Sequence, residues 1–311
     1  MASIAVGSAF QRWRRRIVAW STQNRSTLLV AIGIAIIGLV ILATSALPRA
    51  SSVLTAIDVG QGDGLVLRTR HGQVILIDGG NSPEYLGRLQ RQLGLFHRHI
   101  DLLILTHPHD DHLNGLITVL ERFTVERVLW TGVIEENPGY DELKRMLAIM
   151  GPDRAVIAHA GQEFHIDGGV IRVLWPRTSL TGANPPSERE GGSGGLNDTS
   201  IVTEISIDGV RIVSMGDVSS VVEERMLDDL REVDILKVGH HGSRFSTSER
   251  FVDRVKPKIA IISVGAKNDY NHPAQSVIAR LEGRGARVLR TDQDGTVSVE
   301  LTPELTIHKS R

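Results

Sequence analysis

Residues 101–115 read D-L-L-I-L-T-H-P-H-D-D-H-L-N-G, and the fold follows from how this stretch is divided. The short apolar run 101–105 reads as a strand buried on both faces, and apolar spacing resumes over 113–120 in a form that suits a helix. The turn between them holds His107, Pro108, His109, Asp110, Asp111 and His112. In an open α/β layer the ligand site lies beyond the carboxyl ends of the strands, which is where this turn falls. Pro108 lacks an amide hydrogen and has a fixed φ, so it keeps the loop out of helix and strand and lets His107 and His109 point to one side. Imidazoles and carboxylates packed this densely are costly without a cation, and they are donors that suit zinc, manganese or iron. Loop histidines with Asp110 or Asp111 as a helix N-cap would explain any one of these residues, but not their density.

Working outward, residues 53–57, 64–69 and 74–77 alternate as adjacent strands, with His71-Gly72 as a hairpin turn. Asp78 then ends a buried strand at the same edge as the histidine cluster. Asp58 and Asp63 flank G-Q-G, which reads as a phosphate-cradling turn or a plain turn; a lone glycine pattern favours the plain turn. A helix over 83–95, a strand over 127–130, a helix over 140–150 and strands over 162–165 and 170–174 follow. His97, His99, His159 and His165 lack ligand spacing and read as structural or surface residues. Residues 178–195 form an inserted loop without periodicity.

A strand over 210–214 runs into M-G-D, where Asp217 either bridges two cations or caps a helix over 218–230. A further buried strand, 233–238, ends in Gly239-His240-His241-Gly242-Ser243. Paired histidines between glycines at a strand end are hard to explain by packing. One of them, His240 by preference, is expected to bind a second metal, with His241 touching the substrate or supporting the site. After a strand over 259–264, His272 in Asn271-His272-Pro273 orients a phosphate, donates a proton or only shapes a turn.

At these residues the chain resembles the metallo-β-lactamase superfamily, and within it the corresponding domain of ComEC-type DNA-uptake proteins. The motifs are I-D-V-G-Q-G-D-G at 57–64, I-L-I-D-G-G at 75–80, T-H-P-H-D-D-H at 106–112, M-G-D at 215–217, L-K-V-G-H-H-G-S at 236–243 and N-H-P at 271–273. The resemblance covers about residues 53–302 and implies a four-layer αβ/βα sandwich with one or two metal ions at its edge. It implies that Asp78 orders the metal-binding loop by hydrogen bonds without ligating. In most of the superfamily a histidine stands where this chain has Asn197, and an amide oxygen is a weak ligand that favours a harder ion such as manganese over zinc.

The expected ligand sets are His107, His109 and Asp217, with Asn197 or water, for one ion, and Asp111, His112, Asp217 and His240 for the other. The expected cofactors are thus two divalent ions, zinc or manganese. Asp111, Asp217, His241 and His272 are the residues expected to act in catalysis, around a water whose pKa the ions lower. The resemblance further implies a phosphodiesterase or nuclease acting on DNA during uptake, with a separate channel protein as partner. Cell-wall or choline phosphate esters, and a metal-stabilised binding module without turnover, are the alternatives.

The chain has 311 residues, 41% hydrophobic and 23% charged, which suits one large domain with an appendage. It has no cysteine, so disulfides and thiolate metal sites are excluded. Residues 1–27 carry five arginines and no acid, and residues 28–47 carry no charge. That pattern reads as a transmembrane helix preceding the domain at 51–311, since twenty residues of helix span about 30 Å. The arginine asymmetry puts the N-terminus in the cytoplasm and the catalytic domain outside the cell membrane. A cleaved signal peptide is the rival, but its apolar core is usually only about 7–15 residues. Without the five N-terminal arginines, the net charge of −1 becomes about −6, so a globally basic nucleic-acid surface is excluded. Residues 250–290 are locally basic, and Arg284 and Arg287 there are expected to contact phosphates or to lie on solvated helix faces and strand ends.

Overall fold

The computed structural model describes residues 25–45, 50–94, 96–187 and 194–311. The chain divides into two units, Met1–Pro48 and Arg49–Arg311. In the first, α1 (Arg25–Ser45) takes up most of the uncharged run. Among the described residues, however, no helix is long and apolar enough to cross a membrane. The transmembrane helix over 28–47 is therefore corrected, and with it the single-pass topology, the extracytoplasmic domain and the membrane and channel partners. Residues 46 and 47 of that expected span, and the arginines of residues 1–24 that set its orientation, lie outside the described residues.

The second unit is built on strands that bury both faces, and such strands must be covered on both sides. One sheet comprises β1 (Ser52–Ala56), β2 (Leu65–Arg68), β3 (Val74–Ile77), β4 (His99–Ile104), β5 (Thr124–Trp130), β6 (Ala155–Ile157), β14 (Val297–Leu301) and β15 (Thr306–Lys309). The other comprises β7 (Glu163–Ile166), β8 (Gly169–Trp175), β9 (Val202–Ile207), β10 (Val210–Ser214), β11 (Ile235–Lys237), β12 (Ile259–Ile262) and β13 (Arg287–Arg290). Their orders are β15-β14-β1-β2-β3-β4-β5-β6 and β13-β12-β11-β10-β9-β8-β7. Strands β3 to β6 run parallel, as do β10 to β13, so each sheet has one edge where several carboxyl ends coincide.

Side chains alternate across each strand, and this alternation makes the layers. Ile75, Ile77 and Ile104 of the first sheet share a core with Ile205, Ile235 and Ile261 of the second. The opposite face of the first sheet, with Leu76 and Leu103, packs with α2 (Tyr85–Leu93), α3 (Asp110–Arg122) and α4 (Pro138–Met150). Val213, Leu236 and Ile262 face outward from the second sheet toward α5 (Ser220–Met226), α6 (Glu249–Val255) and α7 (Gln275–Glu282). The result is the expected αβ/βα sandwich.

The helix that carries the histidine cluster is set down very close to β3. The Gly79 N–H donates to the His112 carbonyl at 2.7 Å and the Gly115 N–H to the Gly80 carbonyl at 3.2 Å. A Cβ added to Gly115 would lie 2.0 Å from the Gly79 carbonyl oxygen, a backbone atom with no room to retreat. Gly115→Ala is therefore expected to cost at least about 1–3 kcal/mol, the usual range for overpacking, and to lower metal content along with it. Denaturant unfolding with metal analysis checks this, and a variant as stable as the parent would refute the docking argument.

Candidate metal centre

Four segments from both sheets deliver side chains to one place. The turn after β4 supplies His107, then His109 just ahead of α3, then Asp111 and His112 in its first turn. The turns after β10 and β11 supply Asp217 and His241, and the segment after β3 supplies Asp78. His107 and His112 are fully buried and Asp217 is nearly so. His112 Nε2 lies 3.4 Å from Asp217 Oδ2 and 3.8 Å from Asp111 Oδ1. His241 Nε2 lies 3.3 Å from both Asp217 Oδ2 and Asp111 Oδ2.

Among the described residues, five groupings have the compactness of ion sites; four of them meet here, including His107 with His112 and Asp217, and Asp111 with His112 and His241. The donors also fit a metal chemically: His112 Nε2, His241 Nε2 and Asp217 Oδ1 are buried yet have no hydrogen-bond partner. Buried polar atoms left in this state are costly, and a divalent ion satisfies them. These buried histidines and aspartates are a centre for two divalent ions, zinc or manganese.

The surroundings hold the donors in place. Asp78 accepts from the Thr106 N–H at 2.8 Å, the Thr106 hydroxyl at 2.7 Å and His112 Nδ1 at 2.8 Å. That leaves the other nitrogen of His112 facing the centre, the arrangement by which a carboxylate orients a metal-binding imidazole. Ser200 Oγ lies 3.1 Å from His107 Nδ1 and accepts from the Asp217 N–H at 3.0 Å. His241 Nδ1 is tied to the Ser263 carbonyl at 2.9 Å. His107 Nε2 and His109 Nδ1 are 2.9 Å apart.

Electrostatics without metal follow from burial and proximity. Burial alone would depress the His112 and His241 imidazoles, but the carboxylate of Asp217 leads a set that holds both well above the usual histidine range. Asp217 lies well below the usual carboxylate range, because His241 and His112 outweigh its burial. Burial, together with His112 and His109, pushes His107 well down.

The sequence reading put His240 on a metal by preference and His241 toward the substrate; in the structure it is His241 that groups with Asp111 and His112. Both have left-handed backbones, with φ of 48° and 52°, which is strained for residues other than glycine. This tight double turn sends His241 inward and leaves His240 half-buried on the wall of an open cavity of about 950 Å³. His272 and Asn197 lie on the same wall. His272 is depressed to about 4 by burial and by the neighbouring His240 and His241, so at neutral pH its ring is uncharged. Asn197 is buried in the turn Asn197–Thr199.

Two residues of the site were not anticipated. Asp63, read as part of a plain turn, is 1% exposed, and its carboxylate is paired with Lys237 Nζ, which is fully buried. Asp63 Oδ1 also lies 3.4 Å from His241 Nδ1. Burial opposes the charge on Asp63, but Lys237 and His241 more than compensate and hold its carboxyl below the usual value. A single lysine inside the apolar run I-L-K-V was the available signal, since a buried ammonium needs a partner.

Arg284 and Arg287 are not brought to the centre. Arg287 opens β13 opposite Ile259 at the start of β12, the far end of these parallel strands from the metal. Arg284 is clamped by Asp253 through contacts of 2.6 and 3.2 Å. Neighbouring cations are likewise matched, Arg250 with Glu224, Lys256 with Glu232 and Lys258 with Asp234. These four cations are thus matched by acids of other elements, the arrangement of solvated helix faces and strand ends.

With this geometry in hand, comparison with known proteins gives a clear class. The model of the metallo-β-lactamase superfamily matches residues 57–266, and the chain belongs to that superfamily. It is 32% identical over 263 residues to ComE operon protein 3 of Bacillus subtilis, covering 78% of this chain and 32% of that protein. It is 28% identical over 277 residues to Recombination protein 2 of Haemophilus influenzae, covering 86% and 31%. The chain thus spans about a third of the length of the curated relatives it matches. Among solved structures, Igni18, a metallo hydrolase from Ignicoccus hospitalis, aligns with a TM-score of 0.51 at 16% identity over 80% of this chain and 100% of that one. CmlA, a diiron β-hydroxylase from Streptomyces venezuelae, aligns with a TM-score of 0.51 at 16% identity over 82% and 55%; both likenesses concern the fold. Family and buried clusters together make this protein a metal-dependent hydrolase. The expected membrane-anchored nuclease is corrected to that statement, because no spanning helix is found among the described residues and neither the centre nor the basic stretch selects DNA or a phosphodiester.

Proposed function

We propose that the chain is a two-metal hydrolase of the ComEC-type branch of the superfamily, with Asp217 shared between the two ions. His107, His109 and Asp217 would hold one ion, and Asp111, His112, Asp217 and His241 the other. The ions would supply Lewis acidity and lower the pKa of a water. The observation that carries this reading is the convergence of His112 Nε2 and His241 Nε2 on Asp217 Oδ2, at 3.4 and 3.3 Å, with both nitrogens lacking a hydrogen-bond partner.

The chain's own residues do the rest. Asp78 and Ser200 fix the orientations of His112 and His107. His240 and His272 face the open cavity from beside the centre, each with a buried Nδ1 that has no hydrogen-bond partner. As neutral rings they are placed to steady an oxygen of the substrate by a hydrogen bond.

The test is a pair of variants. His241→Ala is expected to lose at least one ion per chain, whereas His240→Ala keeps its metal and loses rate by roughly 100–1,000-fold, the range for removing an oxyanion donor. Elemental analysis and hydrolysis of a chromogenic ester read the two effects. Loss of metal in His240→Ala with retention in His241→Ala would reverse the assignment.

A further inference from the structure

The strand-end turn that delivers His241 continues into Ser243, Arg244 and Phe245, and all three border the metal cavity. Arg244 is the one lysine or arginine among the described residues that line it. Its guanidinium carbon stands 4.7 Å from the centre of the Phe245 ring. Stacking of this kind steadies the plane of the guanidinium while leaving its edge donors free. Other arginines of this unit are tied to carboxylates, Arg250 to Glu224, Arg284 to Asp253 and Arg290 to Asp292. Among the described residues, Arg244 has no such ion pair.

A planar fork of donors, held in place and not neutralised, is matched to a substrate oxyanion, which accepts two parallel N–H bonds from it. The cavity floor favours the same partner once metal is bound, since two divalent ions would offset Asp111 and Asp217, which line it, and bring positive charge there. We infer that Arg244 is a specificity-determining residue that binds an oxyanion group of the substrate, carboxylate or phosphate, apart from the bond that is cleaved. This rests on the hydrolase reading and adds the chemical class of substrate: anionic, with its charge on the Arg244 side of the centre. Phe245 holds the guanidinium from below. Tyr270, 66% exposed and stacked on His272 at 5.7 Å, offers an apolar surface for the body of the same molecule.

The test uses the full chain loaded with zinc or manganese and two 4-nitrophenyl esters of similar size, one neutral and one carrying a free carboxylate. The measured quantity is the ratio of kcat/KM for the charged ester to that for the neutral one. Arg244→Ala is expected to lower this ratio at least about tenfold, as loss of a charge-assisted hydrogen bond does, mainly through KM. Arg244→Lys should recover part of the ratio, and Arg250→Ala should leave it where it was. Inorganic phosphate as a competitor separates the two oxyanions: if phosphate is the natural group, its inhibition weakens more in Arg244→Ala than that of acetate. An unchanged ratio in Arg244→Ala would overturn the assignment, as would an equal loss in Arg250→Ala. If the metal-loaded parent cleaves neither ester, it is the hydrolase reading that fails. Calorimetric binding of inorganic phosphate then decides on Arg244 alone: a loss of at least tenfold in Arg244→Ala supports the assignment, and equal affinity ends it.

Discussion

Asp217→Ala is expected to leave the protein folded but nearly empty of metal, with ester hydrolysis reduced by well over about 100-fold. The lower bound comes from comparison: removing an outer partner of a metal ligand usually costs about 10–100-fold, and Asp217 stands between the two donor groups. Its Oδ2 lies within 3.4 Å of both His112 and His241, and in the proposed ligand sets it serves both ions. Two imidazoles that Asp217 keeps charged in the metal-free chain would also revert toward neutrality, which limits the harm to folding. Elemental analysis, circular dichroism and turnover on one preparation test this. A folded Asp217→Ala protein with full metal content and undiminished turnover would end the two-metal reading.

Metal affinity should also rise steeply with pH. His112 and His241 are held well above the ordinary value of 6.5, because Asp217 and the other carboxylates override the burial that opposes their charge. At neutral pH both rings are protonated in the metal-free protein, and a metal takes only the neutral imidazole. Loading therefore expels up to two protons, and apparent affinity should climb by up to about 100-fold per pH unit below the raised pKa values. The stability of the metal-free chain runs the other way. A raised folded-state pKa gives stability that is complete below the unfolded value and is lost as pH rises through the folded value. Calorimetry in buffers of differing ionisation heat at pH 6, 7 and 8 measures the proton release directly. Heats independent of buffer at pH 7 would show that the two rings are already neutral.

The sequence was most readable where chemistry and chain order coincide. H-x-H-x-D-H lies in one turn, and the double-faced burial of 74–77 and 259–262 can be seen in their unbroken apolar runs. Legibility failed where a residue's meaning depends on something distant. Lys237 and Asp63 define each other across the sandwich, and neither carries a motif of its own. His240 and His241 are chemically equal in the sequence; only the left-handed turn decides which faces inward. Arg284 looked available because its partner, Asp253, lies on a separate element, α6. The last strands escaped notice for the same reason: β14 closes the first sheet by pairing Ser52 with Leu301, a partnership between the two ends of the domain. The uncharged run at 28–47 was read by composition alone, and composition does not fix the length of the apolar helix it forms.

The donors come from the edges of both sheets, His107 and His112 from the first and Asp217 and His241 from the second, and this gives the ions a mechanical part. The inner core holds the sheets together by apolar contact, which has no preferred direction. Ions at the rim pin the two edges to each other at fixed points, as a clasp does. Because unfolded chain cannot assemble that donor set, each tenfold excess of free metal over its dissociation constant adds about 1.4 kcal/mol per site to the folded state. The loops that shape the cavity would thereby be anchored by the cofactor, and the resistance of this edge to local unfolding would rise with the supply of metal.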